Sequence, residues 1–173
     1  AVGKNEWDIG NIGAEPQRAE KIAFTAAYCE IEATYMVPAG SPIKTIDEVD
    51  RKGVKVVTSA RSAYGLWLEN NIKNAELIQV EGLEGAFNAF RDRKIDVLAG
   101  LRPGLLKDIE KMPGARILDG KFSAVQQAVG TAKGNREAAA WLSGFVEEAK
   151  RSGLVARLIE KHKVKGLSVA PLA

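Results

Sequence analysis

The chain has 173 residues, of which 46% are hydrophobic and 27% are charged, so it can bury one good core or two small lobes. Its net charge of +3 and pI near 9.0 do not indicate nucleic-acid binding, because the lysines and arginines are spread along the sequence. No apolar run approaches the about 20 residues that span a membrane. No leader segment stands at the start, which predicts a mature or trimmed chain.

Cysteine and histidine each occur once, as Cys29 and His162. A single cysteine cannot form an internal disulfide, and we interpret it as a small buried residue. His162 lies in a lysine-rich helix end, which indicates a surface position. One histidine and one cysteine provide neither a common zinc site nor a Ser-His or Cys-His pair. We therefore expect no catalytic residue, no metal site and no cofactor.

The stretch 7–28 carries the clearest local pattern. An apolar run predicts a strand that ends in a glycine-bearing turn at 10–13, and Pro16 predicts the first turn of a helix. Arg18 lies in that turn, and 22–24 predicts another extended segment. A helix N-terminus attracts anions, and an arginine can hold a carboxylate through two hydrogen bonds. The segment indicates an anion site, although a plain strand–turn–helix with a surface arginine also fits.

From residue 54 onward, short strands alternate with helices. Strands are predicted at 54–58, 77–80 and 95–99. Between them, Ser62 is predicted to cap a helix, and apolar residues recur at helical spacing over 83–90. Pro103 is predicted to open a further helix. This alternation predicts right-handed βαβ units and a mostly parallel sheet.

Two extended segments, 31–37 and 123–130, are predicted to cross between lobes. After the second, Asn135 is predicted to cap a long helix that ends at Gly153, and a last helix follows from Leu154. Two extended crossovers around a central βαβ block are typical of two-lobed proteins that close about a hinge.

Several passages resemble one known family in wording and in order. In 7–28, the matching residues are Asp8, Arg18, Ile22, Phe24, Thr25 and Tyr28, with Ala27 where a proline is usual. The further matching passages are 41–49, 54–62, 90–99 and 152–154. They are similar to the extracytoplasmic solute-binding proteins of ABC importers, of the polar amino-acid type (bacterial solute-binding family 3).

The resemblance implies an α/β fold of the type II periplasmic-binding-protein kind, with two βαβ lobes joined by two crossover hinges. Lobe 1 would comprise 1–36 and 127–173, and lobe 2 would comprise 37–126. The family opens with a strand, a loop and a helix before the Arg18 passage, and only residues 1–7 precede that passage here. We therefore expect the first lobe to be incomplete.

The resemblance also implies site residues. Arg18 would hold the carboxylate of a ligand between the lobes, and a turn in the second lobe would complete the site through its N–H groups and a serine hydroxyl. Backbone contacts to the ligand head group would come from Asn11, Ile12 and Gly13. The second-lobe turn consists of Ala60, Arg61 and Ser62. Two alternatives stay open, that Ser62 is only a helix cap and that Arg61 points to solvent.

One departure from the family bears on the ligand. Where amino-acid binders carry an acidic residue for the α-ammonium group, this sequence has Leu101, followed by Arg102. An ammonium group buried without a carboxylate partner is costly. Together with Arg61 and Arg18, Arg102 would add positive charge. The sequence therefore predicts an organic acid rather than a typical α-amino acid.

The leading interpretation is a periplasmic, monomeric protein that captures a small carboxylate ligand and delivers it to an ABC permease in the inner membrane. The first alternative is the ligand-sensing input domain of a signalling protein. The second is a cyclohexadienyl dehydratase-like enzyme on the same fold, which would need a positioned general acid or base. We expect a binding protein and no enzyme, because the nearby Glu15, Glu20, Glu30 and Glu32 have structural explanations.

Overall fold

The computed structural model describes residues 4 and 6–173, and its contacts divide the chain into two compact units. Unit 1 comprises Ala1–Ile31 and Val125–Ala173, and unit 2 comprises Glu32–Ala124. The chain passes from one unit to the other within two long strands, β3 (Cys29–Val37) and β8 (Ser123–Ala132). The predicted α/β class is confirmed. The predicted lobes, 1–36 with 127–173 and 37–126, stay a prediction about which segments move together.

Unit 1 is built around the unit-1 part of β8. This strand pairs antiparallel with β1 (Ile9–Ala14) and with β2 (Ile22–Phe24). The short helix α1 (Pro16–Ala19) connects β1 to β2. The last strand, β9 (Leu167–Val169), pairs antiparallel with the first residues of β3.

Two C-terminal helices complete unit 1, α5 (Arg136–Arg151) and α6 (Leu154–Lys161), and they contact each other. The Asn135 side chain accepts the Ala138 N–H at 3.2 Å and so caps α5 as predicted. Gly153 separates the helices with a φ of 75°, a left-handed conformation that favours glycine. Local capping residues therefore set both helix boundaries.

The glycine-bearing segment 10–13 differs from its prediction. It is not a turn but the middle of β1, in register with β8 from Gly10↔Gly130 to Gly13↔Gln127. Glycine weakens a strand only modestly, and pairing with a distant strand satisfies its backbone groups. The chain turns after Ala14 instead, where Glu15 caps α1.

Unit 2 contains the predicted parallel strands. The central strand β4 (Lys55–Ser59) pairs in parallel with β5 (Glu76–Val80) and with β6 (Val97–Leu101). The β3 strand extends the sheet antiparallel to β6, and the two-residue β7 (Arg116–Ile117) pairs antiparallel with β3. The helices of this unit are α2 (Ala63–Asn71), α3 (Leu83–Asp92) and α4 (Arg102–Asp108).

The two faces of the unit 2 sheet bury two separate apolar clusters. Neighbouring strand residues point to opposite faces, so Val56 and Val57 contribute to different clusters. One cluster contains Phe87 and Phe90 of α3, and the other contains Leu68 of α2. Because β4, β5 and β6 run in the same direction, their carboxyl ends lie at one edge of the sheet. Within the described part of the chain, no helix is long and apolar enough to cross a bilayer.

Candidate functional site

In unit 1, the Arg18 side chain is held beside the end of β1. The Glu15 carboxylate accepts the N–H groups of Gln17 at 3.0 Å and Arg18 at 3.2 Å, which fixes the first turn of α1. The Arg18 guanidinium donates from Nη1 to the Gly13 carbonyl oxygen at 2.9 Å. An arginine side chain carries five N–H donors in one plane. The contact with Gly13 therefore orients the guanidinium.

The three residues predicted to contact the ligand through their backbone lie on β1. Asn11 is exposed, Ile12 is half-buried and Gly13 is buried. All three are in register with β8, and among the described strands β1 pairs with β8 alone. The structure thus brings Gly13 and Arg18 together directly, through the hydrogen bond between them.

In unit 2, the candidate residues lie where the parallel strands end. The carboxyl ends of β4, β5 and β6 share one edge because these strands run in the same direction. Ser59, Val80 and Leu101 are the last residues of these strands. Ligands of open α/β sheets bind outside this edge. The predicted turn at 60–62 follows β4 directly.

Ser62 caps α2, as the sequence predicts. Its hydroxyl accepts the Gly65 N–H at 3.0 Å and donates to the Ser59 carbonyl oxygen at 2.7 Å. Gly65 allows this arrangement, because a β-carbon at residue 65 would lie 2.7 Å from Ser62 Oγ and 2.8 Å from the Ser59 carbonyl oxygen. The single O–H donor of Ser62 is therefore used within the unit.

The buried environment of this cap is polar. Burial raises the pKa of the Tyr64 hydroxyl, while hydrogen bonding with Ser62 and Ser59 acts in the opposite direction. Thr58 is fully buried, and its hydroxyl has no hydrogen-bond partner. Since the Ser62 hydroxyl is occupied, an anion would meet the first-turn N–H groups of Ala63 and Tyr64, which have no acceptor inside a helix.

Arg61 occupies an unusual backbone conformation beside this helix start. Its φ is 60°, in the left-handed region that favours glycine. Its guanidinium forms an ion pair with Glu81 at 2.6 Å, and the two side chains are 79% and 77% exposed. Exposed pairs of this kind are weak, about 0–1 kcal/mol. Glu81 directly follows β5, so the pair joins the ends of two neighbouring strands.

Leu101 and Arg102 lie at the end of β6 and the start of α4. Leu101 is half-buried and offers no side-chain hydrogen bond. Arg102 forms an ion pair with Glu32 at 2.5 Å and also donates from Nη2 to the Gly120 carbonyl oxygen at 2.6 Å. Its side chain is only 20% exposed. Both predicted cations of unit 2 are thus paired with a carboxylate.

Sequence reasoning missed Glu81 and Gly65 and treated Glu32 only as an exposed strand residue. Glu81 carries a recognisable signal, because it directly follows a predicted parallel strand. Gly65 lies three residues after the cap, where only the packing of the folded unit reveals its role. Glu32 is 70 residues from Arg102 in sequence, so no local pattern connects them. Among the described residues, no group of three or more histidine, cysteine or acidic side chains could hold a metal ion.

Comparison with known proteins gives a family match over most of the chain. The sequence profile of the bacterial extracellular solute-binding proteins, family 3, matches residues 1–165. A search of curated proteins finds no match. The matching structures are type II periplasmic binding proteins, which confirms the predicted fold kind.

Three solved structures illustrate the likeness. The solute receptor for L-cysteine of Neisseria gonorrhoeae has a TM-score of 0.80 at 21% identity, over 98% of this chain and 73% of the receptor. A putative ABC-transporter binding component from Wolinella succinogenes, complexed with lysine, has a TM-score of 0.78 at 18% identity, over 92% and 71%. An ancestral amino-acid-binding protein, described as a precursor of cyclohexadienyl dehydratase, has a TM-score of 0.75 at 18% identity, over 93% and 70%.

Proposed function

This chain belongs to the bacterial extracellular solute-binding proteins, family 3, and from this premise we propose that it captures a small carboxylate-bearing ligand for an ABC importer. The observation that carries the carboxylate is the Arg18 guanidinium, oriented by Gly13 beside the end of β1. A planar guanidinium matches a carboxylate in geometry and in charge.

The α2 start supplies a second set of donors for an anion. The helix has nine residues, and its N-terminus carries the partial positive charge of the aligned peptide dipoles. The Ser62 hydroxyl holds the turn in place, because it donates its one O–H to the Ser59 carbonyl oxygen and has no second proton to donate to an anion. We therefore propose that the backbone amides of Ala63 and Tyr64 bind the carboxylate. That the Arg18 and α2 groups act on one ligand between the lobes stays a prediction.

Leu101 supports a ligand without a required α-ammonium group. Its side chain cannot accept a hydrogen bond, so a buried ammonium group there would lose its water without a replacement partner. Glu32 and Glu81, two carboxylates near this edge, are already paired with Arg102 and Arg61. The ligand class we propose is therefore an organic acid, with amino-acid-like ligands as the competing class. The latter is supported by the solved structures named for L-cysteine and lysine.

The proposal also covers the partner of the protein and its cellular location. The family implies a small-molecule ligand and an ABC-transporter partner. We infer that this chain acts as a monomer in the periplasm, where it would meet its permease. Catalysis is the weaker candidate, although one solved neighbour is a dehydratase precursor. Glu15 caps α1, and Glu32 is paired with Arg102, so neither is placed as a general acid.

The experiment is calorimetric binding of matched ligands, L-alanine with L-lactate and L-aspartate with L-malate. We expect the hydroxy acid of each pair to bind more tightly. The Arg18→Gln variant should lose about 2–5 kcal/mol of binding free energy, as when one partner of a hydrogen-bonded charge pair is removed. Arg136→Gln, an exposed arginine of the same unit, is the matched control and should bind as the parent does.

Two results would count against the proposal in different ways. Tighter binding of both amino acids would refute the organic-acid class and leave the carboxylate site standing. Unchanged binding of any carboxylate ligand by Arg18→Gln would remove Arg18 from the site.

A further inference from the structure

Unit 1 contains an apolar cavity that the proposed function does not use. Its volume is about 260 Å³, just below the range of about 300–1,000 Å³ that is usual for small-molecule pockets. The wall is formed by α6, the start of β3, β9 and the segment between α6 and β9. The lining residues are Tyr28, Cys29, Val155, Leu158, Ile159, His162, Val164 and Leu167.

The interior of this cavity carries no charge. Burial raises the pKa of the Cys29 thiol to about 11, so it stays protonated at neutral pH. Burial also raises the pKa of the Tyr28 hydroxyl. The remaining wall residues are aliphatic apart from His162, which is exposed and lies where α6 ends. An apolar group therefore suits the interior.

The segment that ends α6 carries lysines next in sequence to residues that line the cavity. The Val164 N–H donates to the Ile159 carbonyl oxygen at 3.2 Å, and the Lys163 N–H donates to the Glu160 carbonyl oxygen at 3.0 Å. These two bonds form a Schellman motif, which brings Val164 back against Ile159 in the cavity wall. Lys163 directly precedes Val164 and has a φ of 49°.

The identity of that residue is informative. Glycine is the usual choice for this left-handed position because a β-carbon is disfavoured there. A lysine instead puts a cation between two cavity-lining residues, His162 and Val164. Lys161, Lys163 and Lys165 are all exposed, and Glu160 is the one carboxylate in the segment 160–165. The segment that contributes His162 and Val164 to the cavity wall therefore carries net positive charge.

We propose that this cavity binds a small amphiphilic anion, with its alkyl or aryl tail in the cavity and its acidic head group at the lysines of 161–165. Tail burial gives favourable free energy through the hydrophobic effect, and the lysines distinguish an anion from a neutral or cationic amphiphile. The site shares no residue with Arg18 or with the α2 start. The proposal therefore does not depend on the ligand of the importer.

The test measures binding of octanoate, octanol, octylamine and butyrate to the 173-residue chain by calorimetry. We expect octanoate to bind at one site per chain and more tightly than octanol, octylamine and butyrate. Replacing Lys163 and Lys165 by glutamine should weaken octanoate about two- to five-fold per lysine, the range for exposed charge pairs, and leave octanol unchanged. Lys107→Gln, an exposed lysine of unit 2, is the control.

A second variant tests the tail site. Leu158 lines the cavity and is 45% exposed, so Leu158→Asp should abolish binding of octanoate and octanol while the circular dichroism spectrum and the urea midpoint stay near those of the parent.

Three outcomes would overturn the proposal. The first is no octanoate binding, or equal affinity for octanoate and octanol with no effect of the lysine substitutions. The second is a dimer in size-exclusion chromatography with light scattering that Leu158→Asp dissociates, since a second copy would then cover the face. The third is loss of octanoate binding in a longer polypeptide that carries additional residues, because another segment would then fill the cavity.

Discussion

Replacing Gly65 by alanine tests how the start of α2 is assembled. The new β-carbon would lie 2.7 Å from Ser62 Oγ, 2.8 Å from the Ser59 carbonyl oxygen and 3.3 Å from Thr58 Oγ1. The first two distances are shorter than real β-carbon contacts, and the Ser59 oxygen belongs to the backbone of β4. The variant must therefore displace the Ser62 cap or move α2 away from the strand.

Opposing terms set the size of the effect. Alanine is better than glycine inside a helix by about 1 kcal/mol. Overpacking at a rigid neighbour costs about 1–3 kcal/mol, and loss of a serine cap costs about 1 kcal/mol more. The steric and capping terms exceed the helix propensity, so we expect Gly65→Ala to lower the free energy of unfolding by about 1–3 kcal/mol. Ligand binding should weaken as well, because the first-turn amides of α2 move with the cap.

The assay is urea unfolding followed by circular dichroism, with Gly144→Ala as the matched control. Gly144 is exposed in the middle of α5, and a β-carbon there meets no atom within 4 Å. The control should gain about 0.5–1 kcal/mol through helix propensity alone. If Gly65→Ala is stabilised as much as Gly144→Ala, the contacts around Ser62 do not constrain the helix, and the reasoning fails.

Two further changes test buried and charged groups of unit 2. The Asp50 carboxylate accepts hydrogen bonds from the N–H groups of Lys73, Asn74 and Ala75. Burial alone would raise the pKa of this carboxyl, but these hydrogen bonds lower the pKa below its ordinary value. The charged carboxylate therefore stabilises the fold at pH values above the ordinary pKa, and this stabilisation is lost as the pH falls through the lowered pKa. At pH 7, Asp50→Asn should therefore lower the free energy of unfolding by about 1–3 kcal/mol. That deficit should shrink below about pH 4 in urea titrations, and an equal deficit at all pH values would contradict the assignment. Thr58→Val should keep or raise the free energy of unfolding, because the Thr58 hydroxyl has no hydrogen-bond partner. Thr34→Val should lower it by about 1 kcal/mol, because it removes the hydrogen bond to the Leu118 carbonyl oxygen at 3.4 Å. The reverse order of the urea midpoints would refute the distinction.

Local signals predicted much of this fold. Ser62, Asn135 and Gly153 each mark a helix boundary through bonds to residues within four positions. Such caps depend little on the rest of the molecule, so the sequence alone reveals them. The alternation of strands and helices likewise predicted the parallel core of β4, β5 and β6.

The errors arose where distant residues decide the structure. The segment 10–13 has the glycines of a turn, yet pairing with β8, more than a hundred residues away, makes it a strand. The pairing of the unit 2 arginines with carboxylates was missed for the same reason. That Arg102 adds a cation for the ligand stays a prediction, but the sequence did not show that the fold places Glu32 against it. Neither partner is visible from the local sequence of the other.

The ion pairs of Arg61 and Arg102 in unit 2 differ in how exposed they are. Arg61 and Glu81 are both largely exposed, so their pair contributes about 0–1 kcal/mol. Arg102 is mostly buried and is held by both Glu32 and the Gly120 carbonyl oxygen. Releasing Arg102 would leave a partly buried carboxylate without its cation, which is costly, whereas breaking the exposed pair of Arg61 and Glu81 costs little. The buried pair therefore serves to hold β3 against the start of α4, and the exposed pair contributes little to the stability of the sheet edge.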